Sequence, residues 1–229
     1  MLRAGNIRFV MEMKMEKRAI IKKIVQPAGV LLAACAALCL FGCSSNNRAS
    51  AFQIVFAAAS LNENAVAEFG TSITGGIPEL TIEGRAPVFS SMMIGDTRNE
   101  MGMMTSDPMM AMGGIMRQAA MATTGELDVM IADMENGARN ARSGMFMPLN
   151  EIFTAAELAA LSERLLSFDI LSTGGIEPAP TGERTADYGI SITGNESMRR
   201  IFGNQEIGVF IIGNTKHPEL AKKVVNSLL

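Results

Sequence analysis

Short unbroken apolar runs alternate along this chain with stretches in which apolar residues recur every three or four positions. Residues 52–59, FQIVFAAA, have the pattern of a strand buried on both faces. Ser60 follows as a candidate helix cap, with Glu63 three residues on completing a capping box. Leu61, Ala65, Val66, Phe69 and Ile73 then keep helical spacing, the helix running to about Thr71 and stopping at Gly75-Gly76. Residues 79–89 contain a second strand, interrupted by Gly84 and Pro87, and residues 90–107 read as a loop. Asp107-Pro108 is a helix start, and Gly125 closes a helix over 108–124. Residues 127–132, LDVMIA, are a buried strand; Asp133 or Glu135 opens a short helix through Arg142, and Thr154 caps another near 155–167. A connection rich in Gly, Pro and Thr spans 172–185. Beyond it lie a strand at 188–192, a helix at 195–202 and a buried strand at 207–212, IGVFII. A terminal helix opens at Asn214 or Thr215, with Leu220, Val224, Val225 and Leu228 on one face. The alternation predicts an α/β fold: a largely parallel central sheet with helices on both faces. In such sheets ligands sit beyond the carboxyl ends of the strands.

Charge divides the chain in two. Residues 1–42 carry seven Lys/Arg against Glu12 and Glu16, a net +5, while the remainder carries 13 against 21 acids, a net −8. Within that head a basic segment, KMEKRAIIKKIVQ, precedes an uncharged apolar run, AGVLLAACAALCLFG, and the chain turns polar at SSNNRAS. This is the order of a secretory signal peptide, and the run is short of the roughly 20 residues a membrane span needs. Met11, Met13 and Met15 are each possible true starts. The boundary Leu40-Phe41-Gly42-Cys43 resembles the bacterial lipobox. The resemblance implies that residues 1–42 are removed and that Cys43 carries lipid, with residues 43–51 as a polar tether and 52–229 as the folded domain. Leu32-Ala33-Ala34-Cys35 matches the pattern better by letters, but it sits early, and cleavage there would leave AALCLFGC as an apolar stub. The expected location is the outer face of the cell membrane, held by the lipid anchor.

Composition narrows the chemistry. All three Cys lie between Cys35 and Cys43, so no disulfide scaffold or Cys-rich zinc module is available to the body. His217 is the lone histidine, which excludes a two-His metal site within one chain. The acidic balance argues against nucleic acid as a partner. No phosphate-loop motif occurs and no nucleophile is placed by motif, so the reading is a binding protein rather than an enzyme, with no cofactor.

Three segments resemble extracellular solute-binding proteins of bacterial ABC importers: FQIVFAAASLNENAVAEF at 52–69, GELDVMIADMENGARNARSGMFMPLNEIF at 125–153, and IGVFIIGNTKHPELAKKVVNSLL at 207–229. The second includes the turn Gly144-Met145-Phe146-Met147-Pro148-Leu149. The resemblance implies a type II periplasmic-binding-protein-like fold and partners of two kinds, a small-molecule solute and a membrane permease. By position it assigns ligand contacts to Ala59 and Ser60 after the first strand and to Asp133, Met134 and Glu135 after the 127–132 strand. The same Ser60 and Asp133 can instead serve as helix caps. The 229-residue chain less its 42-residue leader leaves 187, so the second lobe is expected to be reduced.

Ten Met fall between Met92 and Met121. Thioethers suit Cu(I), and Met101, Met103 and Met104 have the short spacing of such a site, which makes a Met-rich Cu(I)-binding lipoprotein an alternative function. Met109, Met112 and Met116, with Met110 and Met121, fall near helical spacing, which predicts core packing for the 109–121 group. A further alternative is a protein-interaction module without transport.

Overall fold

The strand β1 (Gln53–Ala58) has no solvent exposure from Ile54 to Ala58. Its side chains alternate: Ile54, Phe56 and Ala58 enter one apolar cluster, Val55 and Ala57 the other. That two-sided burial is why the run has no polar positions. The structure, a computed structural model, describes residues 51–95, 108–172 and 178–229. The leader, Cys43, the tether up to residue 50, and Met101, Met103 and Met104 lie outside the described residues.

After β1 come α1 (Glu63–Gly76), β2 (Val88–Met93), α2 (Pro108–Thr123), β3 (Val129–Asp133), α3 (Met134–Arg142), α4 (Ala155–Ala160), β4 (Leu165–Leu166), β5 (Asp169–Leu171) and β6 (Pro180–Arg184). The chain closes with β7 (Gly189–Ser191), α5 (Glu196–Phe202), β8 (Ile207–Ile211) and α6 (Pro218–Leu228). Six strands form one sheet in the order β2-β1-β3-β8-β7-β4, and β5 pairs with β6 in a separate two-stranded ribbon. One face of the large sheet is covered by α1, α5 and α6 through Phe69, Phe202 and Val224 among others. The opposite face is covered by α2 and α3, with Ala122 and Ala141 in its core. An α/β fold with helices on both faces is therefore what the sequence builds.

The sheet is mixed. β1 is parallel to β2 and to β3, but β8 runs antiparallel to β3 and to β7, and β4 antiparallel to β7. The reason lies in α5. A parallel crossover needs a helix that carries the chain back along the whole strand. The seven-residue α5 is only about 10 Å long and leaves the chain at the rim where β7 ended. A hydrogen bond from Asn62 N to Ile201 O, 2.9 Å, fixes the end of α5 beside the start of α1 at that rim.

Several boundaries differ from the sequence pattern for identifiable reasons. The cap of α1 is Asn62, whose Oδ1 accepts from Ala65 N at 3.3 Å, so the Ser60 capping box does not form. The second strand is 88–93 rather than 79–89, because Pro78–Leu80 is a 3-10 turn and Ile82 bridges to Arg85. The α4 helix has the expected Thr154 cap, in a capping box with Glu157, but stops at Ala160, since Leu165 pairs with β7. Within the 172–185 connection, β6 adds to β5, and all five of its residues are exposed. Residues 173–177, including Gly174-Gly175, lie outside the described residues. The α6 helix opens at Pro218 because Asn214 and Thr215 bond elsewhere, to Thr123 O and to the Asp128 carboxylate.

The ring of Phe210 knits the antiparallel half together. It is fully buried and stacks on Phe146 with centroids 4.5 Å apart. Three glycines make its slot: a Cβ on Gly137, Gly189 or Gly208 would approach the ring to 2.6, 2.3 or 2.6 Å. Asp128, also buried, ties β1 to β3 and to the start of α6. Its carboxylate accepts from Gln53 N at 2.8 Å and from the Thr215 hydroxyl, and burial raises its pKa above the ordinary value against those bonds. On the outer surface, Lys222 of α6 holds the Glu157 carboxylate at 2.9 Å. The bonds from Lys222 and from Thr154 push the pKa of Glu157 down to about 2.

Two outcomes follow for stability. Alanine at Gly137 gains helix propensity yet meets the Phe210 ring, so Gly137→Ala destabilises, by about 1–3 kcal/mol in urea denaturation. Gly113, in α2 with nothing within 4 Å, is the control, and Gly113→Ala stabilises by about 0.5–1 kcal/mol. Two substitutions of the same sign would contradict the slot. For Glu157 the pKa is lowered on folding, so its contribution is present above pH 4.5 and is lost as pH falls toward 2. Wild type should therefore lose stability relative to Glu157→Gln across that window, and parallel pH–stability curves would remove the ion pair from the account.

Candidate functional site

The chain reverses its direction of travel across the sheet between β1 and β3. From β1 it crosses outward to β2, then returns over β1 to β3 on its other side. The carboxyl ends of two parallel neighbours thus diverge into helices on opposite faces, α1 and α3, and leave a crevice. The register sets Ala57 beside Ala132, so Ala58 lies level with Asp133. Ala59 and Ser60 leave one strand there as Asp133, Met134 and Glu135 leave the other. The five residues that the resemblance assigned are thereby brought to one rim.

Ser60 is exposed, Ala59 half-buried. Gly95, just past β2, closes on them: it has φ +150°, and a Cβ there would stand 2.9 Å from the Cβ of Ala59. Only glycine allows that approach. Asp133 is the N-cap of α3, its Oδ1 accepting from Asn136 N at 2.8 Å and from Asn136 Nδ2 at 3.0 Å. Glu135 pairs with Arg139 at 3.0 Å one turn on. Capping thus accounts for one Asp133 oxygen, and an exposed ion pair for Glu135.

Asn136 is the residue that pattern reading missed. It is 1% exposed and donates from Nδ2 to Ile94 O at 2.8 Å, which pins the end of β2 to the first turn of α3. Arg139 Nη1 donates in turn to Asn136 Oδ1 at 3.1 Å. The signal was a polar amide three residues after a capping Asp, on the helix face that has to pack on the sheet. The rim as built offers the Ser60 hydroxyl, the second oxygen of Asp133 and first-turn N–H groups of α3, which have no intrahelical acceptor. That mixture of donors and acceptors can hold an uncharged polar solute. The three carboxylates at these helix starts, Glu63, Asp133 and Glu135, work against an anion.

The methionines divide. Met92 is a buried residue of β2, and Met130 accepts bonds to sulfur from Gln118 Nε2 at 3.1 Å and Asn140 Nδ2 at 3.5 Å. Met121 packs against the core as expected, but core packing fails for Met112 and Met116, which are 59% and 62% exposed. The reason is that α2 turns Gln118 and Ala122, one turn apart, to the sheet and these two Met away from it. Among the described residues no three His, Cys, Asp or Glu side chains group as metal ligands, and no helix is long and apolar enough to cross a membrane.

A cavity of about 590 Å³ lies at the opposite rim, between the end of α2, the 143–148 turn and Gly213-Asn214. It is lined in part by the Gly144–Pro148 turn that carries the family resemblance, although the resemblance assigned ligand contacts to the other rim. Compared with known protein families, with curated proteins and with solved structures, the chain matches none.

The cap gives a direct test of Asp133. Asp133→Ala should cost about 0.5–2 kcal/mol in denaturant unfolding, and Asp133→Asn, which keeps an oxygen acceptor, only a few tenths. Equal losses in the two variants would show that the carboxylate charge, not the cap bond, is what the fold uses.

Proposed function

We propose that this chain is a lipid-anchored solute-binding protein on the outer face of the cell membrane, the capture component of a transport system. In this reading it works by binding, without chemistry, and hands a small polar solute to a membrane permease. The fold is read as a reduced relative of the type II periplasmic-binding-protein architecture. The observation that carries the proposal is the crossing point between β1 and β3, where Ala59 and Ser60 leave the sheet at the same rim as Asp133, Met134 and Glu135. The basic leader ahead of Leu40-Phe41-Gly42-Cys43 supports the anchor, and the three segments resembling importer-binding proteins support the solute.

Physically, capture here is modest and local. The solute's hydroxyl or amide groups replace water on Ser60, Asp133 and the open amides of α3, while the buried sheet keeps those groups in place. Asn136 positions them without touching the solute, since both of its amide donor bonds go to the protein.

Two measurements test the two halves. Mass spectrometry of the protein made in a bacterial host should show a chain beginning at Cys43 with acyl groups on it, and Cys43→Ala should leave the membrane fraction. An intact amino terminus with a free thiol would end the export reading. A thermal-shift screen with sugars, amino acids, oligopeptides and oxyanions should find a solute that stabilises the fold, by about 2.7 kcal/mol at a hundredfold excess over Kd. Ser60→Ala should weaken that solute. A screen with no response from any of the four classes would contradict capture.

A further inference from the structure

We infer that the 590 Å³ cavity at the amino rim of β1 and β3 is a binding site for a small organic ammonium cation. The inference rests on the cavity's own chemistry and stands whether or not the chain is exported. The size is right for a small ligand, since such sites run from about 300 to 1,000 Å³.

The hydrogen-bond inventory of the wall points to the sign of the charge. Its side-chain donors are already engaged: Asn214 Nδ2 donates to Thr123 O at 3.1 Å, Thr123 Oγ1 to Ala119 O at 2.7 Å, and Ser143 Oγ to Asn140 O at 2.8 Å. The backbone N–H groups of the turn point inward to protein carbonyls too, Gly144 to Ala141 O at 3.1 Å, Met147 to Ile211 O at 2.9 Å and Gly213 to Met145 O at 2.9 Å. What the side chains leave for a ligand is lone pairs: two hydroxyl oxygens, the Asn214 amide oxygen and the carboxylate of Glu151. Glu151 is exposed and has no ion pair among the described residues.

The helix above the cavity adds to this. The 16-residue α2 ends at its wall with no basic residue in the last turn, so the negative end of its dipole lies on the cavity side. Arg142 is held on Asp169 O at 2.8 Å and Lys222 on Ile152 O and Glu157, while the Lys216 stem runs beside Gly125 just past α2. The apolar lining, Ala119, Ala122, Met145 and Phe146, suits a hydrocarbon body behind the charge. An anion would face the Glu151 carboxylate, whereas an ammonium group donates to these oxygens and neutralises Glu151.

Calorimetric titration of the full chain with three ligands of one size, hexylammonium, hexanol and hexanoate, tests this. Hexylammonium should bind at least about tenfold more tightly than hexanol, the gain of a single charge-assisted contact, and hexanoate should not bind. Glu151→Gln should remove the preference for hexylammonium and leave hexanol unchanged. Ala119→Leu, which fills the cavity from an exposed helix position, should abolish both, with an unchanged near-UV spectrum reporting an intact fold. Equal binding of all three ligands, no binding of hexylammonium, or hexylammonium binding that survives both variants would overturn the site.

Discussion

The buried ring of Phe210 and the glycine slot that receives it hold the two halves of the sheet at a fixed angle, and both rims depend on that. A side chain at Gly137, Gly189 or Gly208 would occupy the space the ring needs. The strand β8 could not then lie between β3 and β7, and α3 could not settle on it. On the other side of the sheet Phe56 meets Phe69 edge-on at 5.6 Å and Phe202 at 6.2 Å, so β1 is held from the face that Phe210 does not reach. Burying such rings contributes on the order of 1.5–3 kcal/mol each, and crowding them costs a similar amount. Among the described residues the centre is therefore closed to ligands, and both proposed sites lie at the rims.

The two rims differ in kind. At the carboxyl rim the parallel strands release the chain into helix starts, which present N–H groups and capping oxygens; the surroundings favour a solute that both donates and accepts. At the amino rim α2 and α3 end, and their carbonyls are met by the chain's own donors; the surroundings favour a positive charge. This difference follows from strand direction alone, since helices that flank parallel strands point their starts at one rim and their ends at the other. Asp128 stands at the amino rim and joins the entry of β3 to the start of β1 through Gln53 and to the approach to α6 through Thr215. Its buried carboxylate is costly in isolation, but it satisfies groups from two elements at once.

Much of this was legible in the sequence, and what was not has a physical cause. The runs 52–59, 127–132 and 207–212 could be recognised as core strands because two-sided burial removes polar residues altogether. The helix faces of α1 and α6 were legible for the converse reason, that one-sided burial leaves a 3.6-residue rhythm. Strand direction was not legible, because a helix between two strands gives a parallel or an antiparallel pair depending on its length and on where it ends. The cap of α1 was misread since Ser60 and Asn62 are both good caps, and only the fit of Asn62 N to Ile201 O decides between them. The positions of Ala59, Ser60 and Asp133 at one rim could be read from strand ends, but Asn136 could not, because its role is set by Ile94, 42 residues away. The amino-rim cavity was hidden for the same reason: its wall comes from three separate segments.

Hydrogen exchange of the full chain, read residue by residue by mass spectrometry or NMR, addresses the central claim that a closed core carries two working rims. The amides of Ile54–Ala57, Val129–Ala132 and Gly208–Ile211 should exchange only on global unfolding, while those of residues 59–61, 134–135 and 143–144 exchange orders of magnitude faster. Exchange in β8 as fast as in the rim turns would show that Phe210 does not lock the sheet, and the account would fail at its foundation.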